Sequence, residues 1–170
     1  MQISVLTSQE FDAAAQRLGE ILANAVASGA GVSFMLPFSP QDGEAYWRGH
    51  NDAVASGAST ILVARDRSQI AGVVILDKAW PPNQPHRCEV AKLLVHRDYR
   101  RRGVGTLLMR AVVDKARAMG FTLITFDAVA HGPVEAFYRG LGFTCAGYIP
   151  GYAFSLGDEP DDTAIFFMKL

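Results

Sequence analysis

The chain has 170 residues, a formal net charge of −1, and a hydrophobic share of 49%. That length suits one domain, and that share supports a core and excludes a disordered chain. A near-neutral chain lacks the broad positive surface of a general nucleic-acid binder, and no apolar stretch approaches the ~18 residues that cross a bilayer.

Gln2 to Leu6 reads as a first strand. Thr7 or Ser8 caps a helix whose apolar positions Phe11, Ala14, Leu18, Ile21, Leu22 and Ala25 keep helical spacing. Residues 32–38 are apolar but flanked by glycine and proline, and take no assignment. A second helix is expected from Pro40 to Ala55, with Tyr46, Trp47, His50 and Val54 on one stripe. Thr60 to Arg65 and Ile70 to Asp77 read as an antiparallel hairpin. Three prolines between Trp80 and Pro85 mark a loop.

An apolar strand, Val90 to Val95, then runs into a basic loop, Asp98 to Arg102, followed by Gly103 and Gly105. Val104, Leu107, Leu108, Ala111 and Val112 follow at the spacing of a helix with one buried face, and Gly120 stops it. Phe121 to Phe126 is a strand, Pro133 to Leu141 a helix, and Phe143 to Ile149 and Thr163 to Lys169 two last strands around an acidic loop, Asp158 to Asp162. The order β-α-α-β-β-β-α-β-α-β-β makes an α/β fold with a mixed sheet flanked by helices, spanning 1–170 as one domain.

Strand, glycine turn and helix start together form an anion cradle. The first amides of a helix have no partner within it, and its dipole adds roughly half a positive charge there. Glycines at 103 and 105 let a phosphate reach the backbone, and Arg100, Arg101 and Arg102 add charge. No Lys-Ser or Lys-Thr pair follows the second glycine, as a nucleoside-triphosphate loop needs, and the third glycine of a dinucleotide fingerprint is missing.

Arg100, Gly103 and Gly105 meet the Gln/Arg-x-x-Gly-x-Gly/Ala pattern, and in this setting the stretch resembles motif A of the GNAT N-acetyltransferase superfamily. Glu135 to Phe143 resembles that family's later Ala-x-x-x-Tyr-x-x-x-Gly-Phe stretch, with Val134 in place of the alanine. The resemblance covers nearly the whole chain and implies a mostly antiparallel GNAT-like sheet and acetyl-CoA as the acetyl donor. It places the pyrophosphate on Arg100, Arg101, Arg102, Gly103, Val104, Gly105 and Thr106. It gives the backbone of Leu93, Leu94 and Val95 to the pantetheine arm and thioester, provided the central strands part. His131 stands where many members carry Asn and is counted with the cofactor-binding residues. Val32 to Met35, Glu89 to Leu93, Glu135 to Tyr138, and Ile149 to Tyr152 with Thr163 to Phe167 resemble the tabtoxin-resistance acetyltransferases. That implies a small amine-bearing acceptor.

Acetyl transfer to an amine needs the ammonium deprotonated, an oxyanion stabilised and a thiolate released. Two carboxylates are candidate bases. Glu89 starts the central strand and by alternation shares a face with Ala91, Leu93 and Val95; it reads equally as a rim carboxylate paired with Arg87. Asp127 ends the strand after the cofactor helix, where α/β sheets hold ligands; it reads equally as a turn or cap residue. The family places Tyr138 beside the sulfur, as an acid for the thiolate; otherwise it is a core aromatic. Asp158, Glu159, Asp161 and Asp162 can attract a cationic acceptor, and Phe34, Met35, Tyr46 and Trp47 can wall its pocket.

Cys88 and Cys145 form no Cys-x-x-Cys pair and the four histidines are scattered, so no metal is expected. No leader is visible in MQISVLTSQEF, and a cytoplasmic protein without nucleic-acid or membrane partners is the expectation. A homodimer stays open, as do a non-catalytic CoA-binding module and transfer to a protein N-terminus or lysine.

Overall fold

The computed structural model describes residues 1–155 and 157–170. The chain runs β1 (Gln2–Val5), α1 (Ser8–Ala27), α2 (Pro40–Arg48), α3 (Asn51–Ala55), β2 (Ser59–Asp66), β3 (Gln69–Lys78) and β4 (Arg87–Val95). A short 3-10 turn, Arg97–Tyr99, leads to α4 (Val104–Ala118), then β5 (Leu123–Val129), α5 (Pro133–Gly140), β6 (Thr144–Phe154) and β7 (Pro160–Lys169). The strands form one seven-stranded sheet in the order β1-β2-β3-β4-β5-β7-β6. Its pairs are antiparallel except β4 with β5.

Helices cover both faces, which is why β2 and β3 are apolar runs rather than alternating ones. Ile61, Val63 and Ile75 pack towards α1, in a cluster with Phe11, Leu18, Leu22 and Trp47. Leu62, Ala64, Val74 and Leu76 pack towards α4, against Val104, Leu108 and Val112. Capping boxes start α1 (Thr7 with Glu10) and α2 (Ser39 with Asp42, with Pro40 in the first turn).

Three elements depart from the sequence reading. The expected helix from Pro40 to Ala55 is two helices. At the break the His50 N–H bonds the Trp47 carbonyl at 2.8 Å, while its ring Nδ1 lies 3.0 Å from the Tyr46 carbonyl that a continuous helix would have offered to that N–H. Pro160, Asp161 and Asp162, read as loop, belong to β7, because the β6–β7 hairpin stays paired to Phe154 and Pro160. The third correction matters most. Glu89 does not share a face with Leu93 and Val95. The register of β3 on β4 shifts between Val73 and Ile75, and Lys92 takes a φ of 50°. That bulge adds a residue and exchanges the faces beyond it. Ala91 and Leu94 pack with the α1 cluster, whereas Val90, Leu93 and Val95 pack with the α4 cluster.

The same strand parts from β5. They pair only through Arg87, Cys88 and Glu89, opposite Leu123, Ile124 and Thr125. Beyond these, β5 continues along β7 to Val129 and β4 continues along β3 to Val95. The gap between them is the opening the sequence reading required.

Helices α1 and α2 meet backbone to backbone. A Cβ on Gly43 would lie 2.5 Å from the Gly19 carbonyl oxygen and 2.8 Å from its Cα. Gly43→Ala is therefore expected to destabilise by about 1–3 kcal/mol, since overpacking outweighs the ~1 kcal/mol gain in helix propensity. The thermal midpoint should fall by about 2–4 °C per kcal/mol; an unchanged midpoint would show that the helices separate freely.

Candidate functional site

Two cavities open where β4 leaves β5. The first, of about 590 Å³, runs along Leu93, Leu94 and Val95 to the start of α4. The second, of about 390 Å³, lies between Val90–Leu93, the loop at 29–33 and the end of β5. They share Gly29, Ala30, Leu93, Val134 and Tyr138, so a molecule in one can touch a molecule in the other at Leu93 and Tyr138.

At the far end of the larger cavity the loop turns through two left-handed residues, Arg101 at φ 61° and Gly103 at φ 77°. The first backbone bond of α4 runs from the Leu107 N–H to the Gly103 carbonyl at 3.0 Å. The amides of Val104, Gly105 and Thr106 precede it, so no helical carbonyl can receive them. All three residues line the cavity. A Cβ on Gly103 would meet nothing within 4 Å, so that glycine answers to its backbone angle. A Cβ on Gly105 would stand 3.5 Å from the Phe137 ring, so that glycine answers to the width of the groove.

Backbone orientation follows from two contacts. The Leu94 carbonyl faces β3, lying 2.8 Å from where a Gly72 Cβ would sit. The Val95 carbonyl faces the other way and accepts the Arg100 Nε–H at 3.1 Å. Strand alternation puts the backbone polar groups of Val95 on the open side and those of Leu94 in the sheet. Leu94 lines the cavity, but its amide belongs to the ladder with β3.

Arg100 is thus tied into the protein. Its Nη2 also lies 3.4 Å from Asn24 Oδ1 and 3.3 Å from Ser28 Oγ, and Asn24 Oδ1 accepts the Arg97 N–H at 3.1 Å. The last turns of α1 hold the loop in place. Helical spacing alone gives Asn24 no role, although a lone amide in the apolar run Ile21 to Val26 is a signal. Arg101 lines the groove. Arg102 is turned out over the Tyr99 ring, 5.6 Å from its centroid, and does not line it.

Tyr138 is buried against Phe126, Phe143 and Phe166 and borders both cavities. Burial, with the nearby Asp127 charge, pushes its phenol up to about 12. It is a core aromatic and a cavity residue at once. Asp127 lines the smaller cavity, with Oδ2 3.3 Å from the Thr163 hydroxyl. Glu89 lines neither cavity; it is exposed and ion-paired with Arg87 at 2.5 Å. His131 also lines neither. Its ring stacks on Tyr148 at 4.9 Å, its Nε2 lies 3.4 Å from Asp162, and its N–H bonds Glu135 at 3.1 Å. Placing it with the cofactor-binding residues is not supported, because these contacts hold it over β6.

Of the expected acceptor walls, Trp47 is wholly buried in the α1 cluster and Met35 is exposed outside the cavity lining. Phe34 and Tyr46 instead flank Lys92, whose Nζ lies 5.4 and 5.7 Å from their centroids. Lys92 lines the smaller cavity, and burial lowers its ammonium below the usual range, opposed only in part by Asp127 and Asp77. Burial raises the Asp77 carboxyl, which accepts a hydrogen bond from Ser59. Of the acidic loop, Asp161 reaches the cavity, and Asp162 accepts the Gly151 N–H at 2.9 Å. Among the described residues no cluster of three or more metal-ligating side chains occurs, and no helix is long and apolar enough to cross a membrane.

Residues 32–143 match the Acetyltransferase (GNAT) family. A curated relative, "Probable N-acetyltransferase 14" of Danio rerio, is 30% identical over 113 residues, covering 64% of this chain and 38% of that protein. This chain therefore spans less than half the length of that relative. A GCN5-related N-acetyltransferase from Kribbella flavida superposes with a TM-score of 0.81 at 21% identity over 99% of this chain and 97% of that one. The putative acetyltransferase yncA of Salmonella typhimurium, solved with its cofactor acetyl-CoA, gives 0.79 at 17% identity over 100% and 94%. Such distant structures establish the seven-stranded fold, and the sequence match over more than half of the chain establishes that it belongs to the GNAT acetyltransferase family.

Proposed function

We propose that this chain transfers the acetyl group of acetyl-CoA to the primary amine of a small molecule, by direct attack within a ternary complex. The observation that carries the reading is the meeting of the two cavities at Leu93 and Tyr138. The larger takes the cofactor, with its diphosphate on the amides of Val104, Gly105 and Thr106 and its pantetheine arm along Leu93 and Val95. The smaller takes the acceptor. The likeness of these stretches, Val32 to Met35 and Glu89 to Leu93 among them, to the tabtoxin-resistance acetyltransferases supports a small acceptor.

Asp127 is the better base of the two carboxylates, since it lines the acceptor cavity and Glu89 does not. It takes a proton from the ammonium, directly or through water. The freed lone pair attacks the thioester carbon, and the oxyanion meets backbone N–H donors on the open edge of β4. Collapse forms the amide and breaks the carbon–sulfur bond. Tyr138, with a pKa raised to about 12, stays protonated and donates a hydrogen bond to the departing thiolate. The sulfur takes its proton from the nitrogen or from solvent. Holding both reactants in adjoining cavities contributes most, with effective molarities of about 10⁵ M for well-oriented pairs.

Calorimetry with acetyl-CoA tests the groove. Gly105→Asp places a carboxylate between Phe137 and the diphosphate and is expected to abolish binding; retained affinity would move the cofactor elsewhere. Tyr138→Phe is expected to lower kcat by about 10²-fold with little change in acetyl-CoA affinity. An unchanged kcat would make the tyrosine structural only. In a thiol-release assay over an amine panel, Asp127→Asn should cost about 10²-fold or more and Glu89→Gln less than about tenfold. The reverse order would return the base to Glu89.

A further inference from the structure

Lys92 lines the smaller cavity and takes no part in the acetyl transfer described above. It sits at the bulge of β4 in a left-handed conformation that few side chains adopt. The bulge re-aims its side chain out of the β ladder and under the faces of Phe34 and Tyr46, which hold a cation on one side. Among the described residues, no carboxylate comes within ion-pair reach of Nζ. Nor does any described residue make a hydrogen bond to it, and the side chain lines the cavity. An ammonium has three donors. Ring faces satisfy the charge in part but accept no hydrogen bond of ordinary strength. The donors have only the cavity to serve.

The other charged groups of that cavity are carboxylates, Asp127 and Asp161. The lining is therefore dipolar: one fixed cation, and anions at the β5 and β7 side. A plain cationic amine would meet the carboxylates but leave Lys92 without a partner. A dianion would be repelled by two carboxylates. A molecule with one carboxylate and one ammonium complements both sides. Lys92 directly precedes Leu93, where the two cavities join, so an anion on Nζ and a nitrogen at the thioester fit within one small molecule.

We infer that Lys92 is the specificity-determining residue of the acceptor cavity, and that its ammonium binds a carboxylate on the molecule whose amine is acetylated. This rests on the acetyl-transfer reading above and narrows its acceptor to amino-acid-like amines.

The test is thiol release at saturating acetyl-CoA with pairs of acceptors that differ only in the carboxylate: L-ornithine and putrescine, L-lysine and cadaverine, L-tyrosine and tyramine. The wild-type chain is expected to favour the acid of a pair in kcat/KM by about 10- to 100-fold, the range of one charge-assisted hydrogen bond. Lys92→Met should erase that preference through the acceptor KM while leaving the KM for acetyl-CoA unchanged. Lys92→Arg should keep most of it. A role confined to packing against Phe34 and Tyr46 would not change the ratio within a pair. Equal use of both members by the wild type overturns the inference without touching the transfer reading, and needs no variant. A preference that survives in Lys92→Met overturns it as well. No transfer to any amine of the set removes both.

Discussion

After Glu89 and Thr125, β4 and β5 stop sharing hydrogen bonds, and a parallel pair that ends after three residues leaves backbone groups without partners. Water or a ligand must meet them. β3 holds one edge of β4 and β7 holds the far edge of β5, so neither strand can swing back to close the gap. In the sheet order β5 has β7, not the next strand β6, on its far side. Both cavities are the two ends of that one gap.

The bulge at Lys92 decides which groups look into it. Without the extra residue, Glu89, Ala91, Leu93 and Val95 would share a face. With it, Leu93 and Val95 turn towards α4 and α5, beside the unpartnered amides that open α4, while Lys92 turns towards Phe34 and Tyr46. One irregularity thus assigns backbone groups to the larger cavity and a cation to the smaller. Its cost is a non-glycine residue in a left-handed conformation.

The glycine loop is fixed from outside itself. Arg100 ties Val95 to the end of α1, and Asn24 receives donors from both Arg97 and Arg100. Helix α1 is in turn held to α2 at Gly19 and Gly43, and α2 carries Tyr46 to Lys92. One continuous set of packed contacts therefore runs from the loop before α4 to the smaller cavity. It does so through elements whose sequence shows ordinary amphipathic helices.

The sequence by itself determined the local pieces: the strand, basic loop, glycines and helix from Val90 to Ala118, the capped helices, and Tyr138 on the last helix. These follow from short-range rules, since caps, glycine angles and apolar spacing act over a few residues. Tertiary structure alone decided which carboxylate faces the cavity, where His131 points, and that Lys92 lines that cavity. Glu89 and Asp127 look alike in the sequence; they differ because one lies in the paired part of β4 beside Arg87 and the other beyond the point where the strands part. A bulge at a lysine carries no glycine to announce it, and the face a strand residue takes beyond a bulge is fixed by its neighbour's register, not by its own alternation.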